Sequence, residues 1–171
     1  DILDPLPHAD RRVEFIRESL VDLNAQLAKL AGTDKPALIA RHAWARDEIP
    51  QLAQKLGVQA VFTNHDDEPQ AIERDGLVRG KLADLGVSLH TFKDHVIFER
   101  SEVLSLSGTP YGVFTPYKNA WLKKVDDYFL KAYPVQKYAA HLAAAPKDFA
   151  QGVPSLAAMG FETTNLAEVK I

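Results

Sequence analysis

Between residues 36 and 92, short apolar runs alternate with amphipathic helical stretches, and no other feature of the chain constrains its fold as much. Pro36-Ala37-Leu38-Ile39-Ala40 is a continuous apolar run suited to a strand buried on both faces. Asp47 through Leu56 sets Ile49, Leu52, Ala53 and Leu56 on one helical face, and Gly57 stops it. Residues 58–63 predict a second buried strand. The loop Asn64-His65-Asp66-Asp67-Glu68-Pro69 then leads into a helix carrying Val78, Leu82 and Leu85, closed by Gly86, and residues 87–92 predict a third strand. Strand, helix, strand, helix, strand with short links requires right-handed crossovers and a parallel sheet. The fold class is α/β, expected as a Rossmann-like or flavodoxin-like three-layer parallel sheet with a helical C-terminal extension.

On the N-terminal side, Val13, Ile16, Leu20, Leu23, Leu27 and Leu30 form one apolar stripe of a long helix, with Asp10 as N-cap and Gly32 as stop. A strand follows and no further heptads do, which sets aside a coiled coil. After Phe92, residues 93–114 read as irregular, with short extended pieces at 96–98 and 103–104. The run from Val113 to Leu122 reads as a strand end entering a capped helix. Thr115 is its expected N-cap and Pro116 its first helical residue, where a missing N–H costs nothing, and the helix is expected to reach about Tyr133. A short helix is expected at 135–145. The tail from 146, with Pro146, Gly152, Pro154 and Gly160, reads as a linker. The expected organisation is one domain over 1–133 and a linker over 134–171.

Composition narrows the classes. With no cysteine in 171 residues, disulfides, thiolate nucleophiles and thiolate metal sites are excluded. The net charge of −3 comes with scattered lysines and arginines, at most paired as in Arg11-Arg12 and Lys123-Lys124, so no basic stripe grips a phosphate backbone. No apolar run approaches the roughly 20 residues that span a bilayer. The opening residues carry no secretory pattern, and a cytoplasmic location is expected.

Ligands of open parallel sheets bind beyond the carboxyl ends of the strands. There the sequence places Arg41-His42-Ala43-Trp44, the loop 64–69, and Lys93-Asp94-His95. Neither a G-x-G-x-x-G nor a G-x-x-x-x-G-K-[ST] string is present, so a dinucleotide or P-loop assignment lacks its fingerprint. His65-Asp66-Asp67-Glu68 are consecutive, and neighbours in sequence rarely all reach one ion. No metal site is expected. His90 and His95 do not form H-E-x-x-H, and Ser105 and Ser107 lack the turn that exposes a nucleophile. Trp44 and Trp121 read as core or rim aromatics. No catalytic residue is assigned.

Five strings in order resemble the DNA photolyase/cryptochrome family in its N-terminal α/β domain. They are Asp10-Arg11-Arg12-Val13-Glu14-Phe15-Ile16 with Ser19-Leu20 and Leu23; Asn64-x-Asp66-x-Glu68-Pro69 with Arg74-Asp75; His90-Thr91-Phe92-Lys93-Asp94 with Val96-Ile97-Phe98; Phe114 to Lys123; and Pro154-Ser155-Leu156 with Gly160-Phe161. The strings look most like bacterial cyclobutane-dimer photolyases.

The resemblance implies an antenna-chromophore-binding domain of a deoxyribodipyrimidine photolyase. In such enzymes the antenna (deazaflavin, flavin or methenyl-folate) passes energy to FAD in a C-terminal helical domain, and light drives repair of pyrimidine dimers in DNA. It implies Arg41, His42, Asn64, Asp66 and Glu68 as antenna-binding residues. Ala71 and Ile72 stand where folate-binding relatives tend to have polar or acidic residues, which weakens the folate assignment and leaves deazaflavin or flavin open. Lys118 and Asn119 are expected to be structural at a domain junction. The family's opening strand, with its W-F-R-R-D-L-R type motif, and its FAD-binding helical domain have no counterpart here, so the chain alone is expected to be inactive. FAD and damaged DNA would be met only through the parent, and the sheet opened by the missing strand invites self-association. The alternatives are a cryptochrome-like blue-light signalling module and an unrelated small α/β nucleotide-binding protein.

Overall fold

The computed structural model describes residues 2–169. The chain divides into two units, one built from Asp1–Ala43 with Tyr133–Ile171 and the other from Trp44–Ala132. In the first unit, α1 spans Arg11–Leu30. Asp10 caps it as expected: its carboxylate accepts the Arg12 backbone N–H at 2.8 Å and the Arg12 guanidinium at 3.0 and 2.6 Å. The Arg12 side-chain bonds, then the backbone bond, bring the Asp10 carboxyl down to about 2. Of the predicted apolar stripe Val13 is buried, whereas Ile16 and Leu23 remain largely exposed.

Residues of the tail between 154 and 165 are hydrogen-bonded to α1 and the segment before it. The Glu14 carboxylate, itself buried, accepts the Thr164 N–H at 2.9 Å and the Thr164 hydroxyl. Arg11 donates to the Asn165 side-chain oxygen at 2.9 and 2.6 Å, and Arg17 Nε donates to the Pro154 carbonyl at 3.1 Å. The Glu162 N–H donates to the His8 carbonyl at 2.8 Å.

The run 36–40 is not a strand. Its backbone groups are claimed elsewhere: the Ala37 and Leu38 N–H groups both donate to the Asn24 side-chain oxygen at 3.0 Å, and the Pro36 carbonyl accepts from the Ala145 N–H at 2.7 Å. An apolar run without a ladder neighbour satisfies its backbone with whatever partner is near.

The second unit follows the predicted alternation. Its elements are α2 (Ala45–Leu56), β1 (Ala60–Asn64), α3 (Pro69–Asp84) and β2 (Ser88–Phe92). Gly57 ends α2 at φ 63°, a left-handed conformation that a glycine adopts without penalty. Pro69 opens α3 where its missing N–H is not needed. β1 and β2 pair in parallel, with Ala60 opposite Ser88 and Asn64 opposite Phe92. Val61 and Leu89 turn to the helices, where Ala53, Val78, Leu82 and Val87 form the core together with Ile49 and Val58. Leu82 is fully buried. The result is a mixed helix–strand fold with a small parallel sheet.

Two later expectations need correction. The helix expected from Pro116 begins at Phe114 instead, so α4 is Phe114–Lys124, capped by Val113 without a side-chain bond. Thr115 therefore lies inside the first turn, and Pro116 sits where N–H groups are unpaired anyway. The helix also stops short of Tyr133. Asp126 draws the Tyr128 N–H onto its own carboxylate at 2.8 Å and starts a new short helix, α5 (Asp127–Leu130). Residues 135–141 form a 3₁₀ helix where an α-helix to 145 was expected.

Candidate functional site

Asn64, Asp66 and Glu68 fall together at the carboxyl end of β1, where a parallel sheet offers its ligand edge. His65 extends the ladder by one rung, its N–H donating to the Phe92 carbonyl at 2.8 Å. The Asp66 carboxylate accepts the Glu68 N–H at 3.1 Å, a local turn that aims the chain into α3. Glu68 is the N-cap residue of α3, with no side-chain cap bond, and its carboxylate takes the Gln70 amide at 2.9 Å. Exposed polar contacts surround the loop, Asp66 with the His95 ring at 3.9 Å and Asp67 with Arg100 at 3.6 Å. Open to water, they contribute little binding energy of their own.

The sequence did not single out the firmer polar structure next to this loop. His65 Nε2 meets the Glu99 carboxylate at 2.8 Å, with the two side chains 16% and 22% exposed. Lys93 holds both oxygens of Glu102 at 2.9 and 2.7 Å, and the Glu99 N–H adds a bond at 2.7 Å. These contacts, Lys93 first, pull the Glu102 carboxyl below its ordinary range. Lys124 caps the Glu102 carbonyl and stands 5.0 Å from the Phe98 ring centre. Phe98 is buried edge-on against Trp121 at 5.6 Å and Phe129 at 4.8 Å. Glu99 and Glu102 bond reciprocally around a 3₁₀ turn, and that spacing was the signal available in the sequence. Within the turn, Arg100 adopts φ 46°, the one non-glycine residue at positive φ among the described residues.

Arg41 and His42 belong to the other unit. They border an apolar cavity of about 180 Å³ whose walls include Val13, Ile16, Leu20, Val153 and Met159. Arg41 reaches the Gln151 side chain at 3.5 Å and lies 5.3 Å from the centre of the Phe149 ring. The expected site residues thus form two patches, an acceptor-rich loop in one unit and a cationic rim on an apolar cavity in the other. Among the described residues, no group of three or more His, Asp or Glu is arranged to hold a metal. No helix among them is long and apolar enough to cross a membrane.

A parallel β-α-β unit with its polar loops at the strands' carboxyl ends defines an α/β fold class. The family model for DNA photolyase matches residues 2–141. A deoxyribodipyrimidine photo-lyase from Synechococcus sp. is 33% identical over 120 residues, 70% of this chain and 24% of that protein. Cryptochrome-1 of Spalax judaei is 22% identical over 160 residues, 91% of this chain and 27% of that one. Among solved structures, a bacterial class III photolyase from Agrobacterium tumefaciens matches with a TM-score of 0.64 at 25% identity, over 90% of this chain and 30% of that chain. The chain belongs to the DNA photolyase family and corresponds to its N-terminal domain. It spans about a quarter of the length of the curated photolyases it matches.

Proposed function

We propose that the chain serves as the antenna-binding α/β domain of a deoxyribodipyrimidine photolyase, with Arg41, His42, Asn64, Asp66 and Glu68 as its pigment contacts. The parent enzyme would use FAD in a helical domain reached through 134–171, and would repair pyrimidine dimers in DNA. A three-layer parallel sheet completed by strands from outside residues 1–171 belongs to the same reading. The observation that carries it is the apolar cavity bordered by Arg41 and His42 in a chain of this family.

The chemistry of that cavity suits a planar pigment bearing an anionic substituent. Aliphatic walls take ring faces, the Arg41 guanidinium and the His42 ring supply hydrogen-bond donors at the rim, and Phe149 holds the guanidinium plane. Its size limits what it encloses. A cavity of about 150 Å³ takes a single benzene-sized ring, and whole ligands use roughly 300 Å³ or more. At about 180 Å³ this one takes one ring of a pigment, and the remainder lies outside its walls. When bound, such a pigment absorbs light and transfers the excitation. The chain's residues contribute orientation and exclusion of water from the ring face. On the 64–68 loop the carboxylates of Asp66 and Glu68 are acceptors, suited to ring N–H groups or ribityl hydroxyls.

The cryptochrome alternative rests on matches of 22–23% identity, below the 30–39% of the photolyases. A repair assay on the longer protein that carries this chain separates the two. Light-dependent loss of cyclobutane dimers from an irradiated oligothymidylate supports the photolyase reading. A flavin-loaded protein that is photoreduced normally and removes no dimers refutes it.

A further inference from the structure

Three consecutive residues of the 64–68 loop each meet a residue of the segment that follows β2. His65 Nε2 lies 2.8 Å from a Glu99 carboxylate oxygen, Asp66 3.9 Å from the His95 ring, and Asp67 3.6 Å from Arg100. Left alone, the carboxylates of Asp66, Asp67 and Glu68 repel one another and spread the loop over many conformations. The three contacts differ in weight. Those of Asp66 and Asp67 are open to water and contribute little. The His65 and Glu99 side chains are mostly buried, and a hydrogen bond to a charged group is among the stronger ones. Because a carboxylate only accepts, Nε2 carries the proton.

Glu99 can hold the loop only if it is itself held, and its turn is fixed from three directions. Glu99 and Glu102 bond reciprocally to each other's backbone N–H. Lys93, the residue after β2, grips both oxygens of Glu102, and Lys124 of α4 donates to the Glu102 carbonyl. Phe98, next to Glu99 in the chain, is buried against Trp121 and Phe129. The turn also keeps Arg100 at φ 46°, a costly conformation for a residue with a side chain. Such strain persists only where surrounding contacts over-determine it, and it clusters where a loop or ligand is clamped.

We propose that Glu99 is the positioning residue of the ligand loop. Braced by the turn 99–102, it fixes His65 and so presents the Asp66 and Glu68 carboxylates in one arrangement before a ligand arrives. The inference rests on the reading that this loop contacts pigment. A loop ordered in advance lowers the entropy cost that binding would otherwise meet.

Amide exchange of the 171-residue chain reads the brace without any pigment. The probe is the N–H of residue 65, bonded to the Phe92 carbonyl at 2.8 Å. Glu99→Ala is expected to lower its protection about tenfold or more, with the core amide of Leu82 unaffected. His65→Ala cuts the same tie from the loop side and leaves the bonds within the turn in place. The double variant should lose no more protection than the larger single loss, whereas independent structural effects add. Glu99→Gln should restore protection, its oxygen taking the Glu102 N–H and its amide meeting the other tautomer of His65. Ser101→Ala, exposed on the same turn, is the control and should change nothing. Unchanged protection in Glu99→Ala overturns the proposal, and so do additive losses in the double variant. Pigment affinity should fall about tenfold in Glu99→Ala and return in Glu99→Gln. A loosened loop with unchanged affinity also overturns the positioning role. Absence of binding by the unmodified chain refutes the antenna reading instead, and the exchange results alone then decide whether Glu99 positions the loop.

Discussion

Leu82 anchors the second unit, and truncating it to alanine gives the most quantitative test of the core. The side chain is fully buried among Ala53, Val78 and Val87, with Ile49, Val58, Val61 and Leu89 around them. Two of the central neighbours sit on rigid helices and one is already an alanine, so the site has little freedom to collapse around the void. Leu→Ala at such positions costs about 2.7–5 kcal/mol, and we expect about 3–4 kcal/mol here. With a urea m-value of roughly 1.5 kcal/mol/M for a unit of this size, the midpoint falls by about 2 M. Both tryptophans, Trp44 and Trp121, lie in this unit, so their fluorescence follows its unfolding and not that of the other. Ile72→Ala on the same helix is the control. Ile72 is 57% exposed, and its truncation should stay within about 0.5 kcal/mol. A Leu82→Ala midpoint within 0.3 M of that control, as a rough threshold, would refute this account of the core.

Asp10 links stability to pH. Its folded value of about 2 lies below the 3.8 of the free carboxyl, so its stabilisation is complete above about pH 4 and drains away as pH falls toward 2. Asp10→Asn should flatten that acid limb of the α1 unfolding curve followed by circular dichroism. Asn24→Ala strands the Ala37 and Leu38 N–H groups and should cost about 1–3 kcal/mol, with faster amide exchange at both. Gly57→Ala forces a side chain into φ 63° and should cost about 1–2 kcal/mol by the tryptophan assay.

The second unit was legible because its signals are local. Apolar spacing, Gly57 and Pro69 each act within a turn or two, and α2, β1, α3 and β2 all lie where periodicity put them. The 36–40 run was misread because its apolar content is that of a strand, while its fate depends on a neighbour that no local pattern reveals. Asn24 and Ala145, distant in sequence, take its backbone groups. The α4 boundary erred for a subtler reason. Thr115 and Pro116 are good starting residues, and a helix can begin one residue before a strong cap when the first-turn N–H groups face water. Of the candidate site, the loop at 64–68 was visible from composition. Its neighbours His65–Glu99 and Lys93–Glu102 were not, because those pairs are made by a turn that carries no apolar period. Arg41 and His42 were placed by resemblance. The cavity they border is walled by α1 and by residues 153–159, which the sequence presented as a linker.

The most direct test of the account is an equilibrium titration of the 171-residue chain with deazaflavin, flavin and methenyl-folate, followed by absorbance and fluorescence. We expect saturable binding of deazaflavin or flavin, weakened about tenfold or more by Arg41→Ala and by Asp66→Ala. Binding that neither substitution alters would contradict the assignment of these residues, and absence of binding by all three pigments would contradict the antenna role of the chain itself.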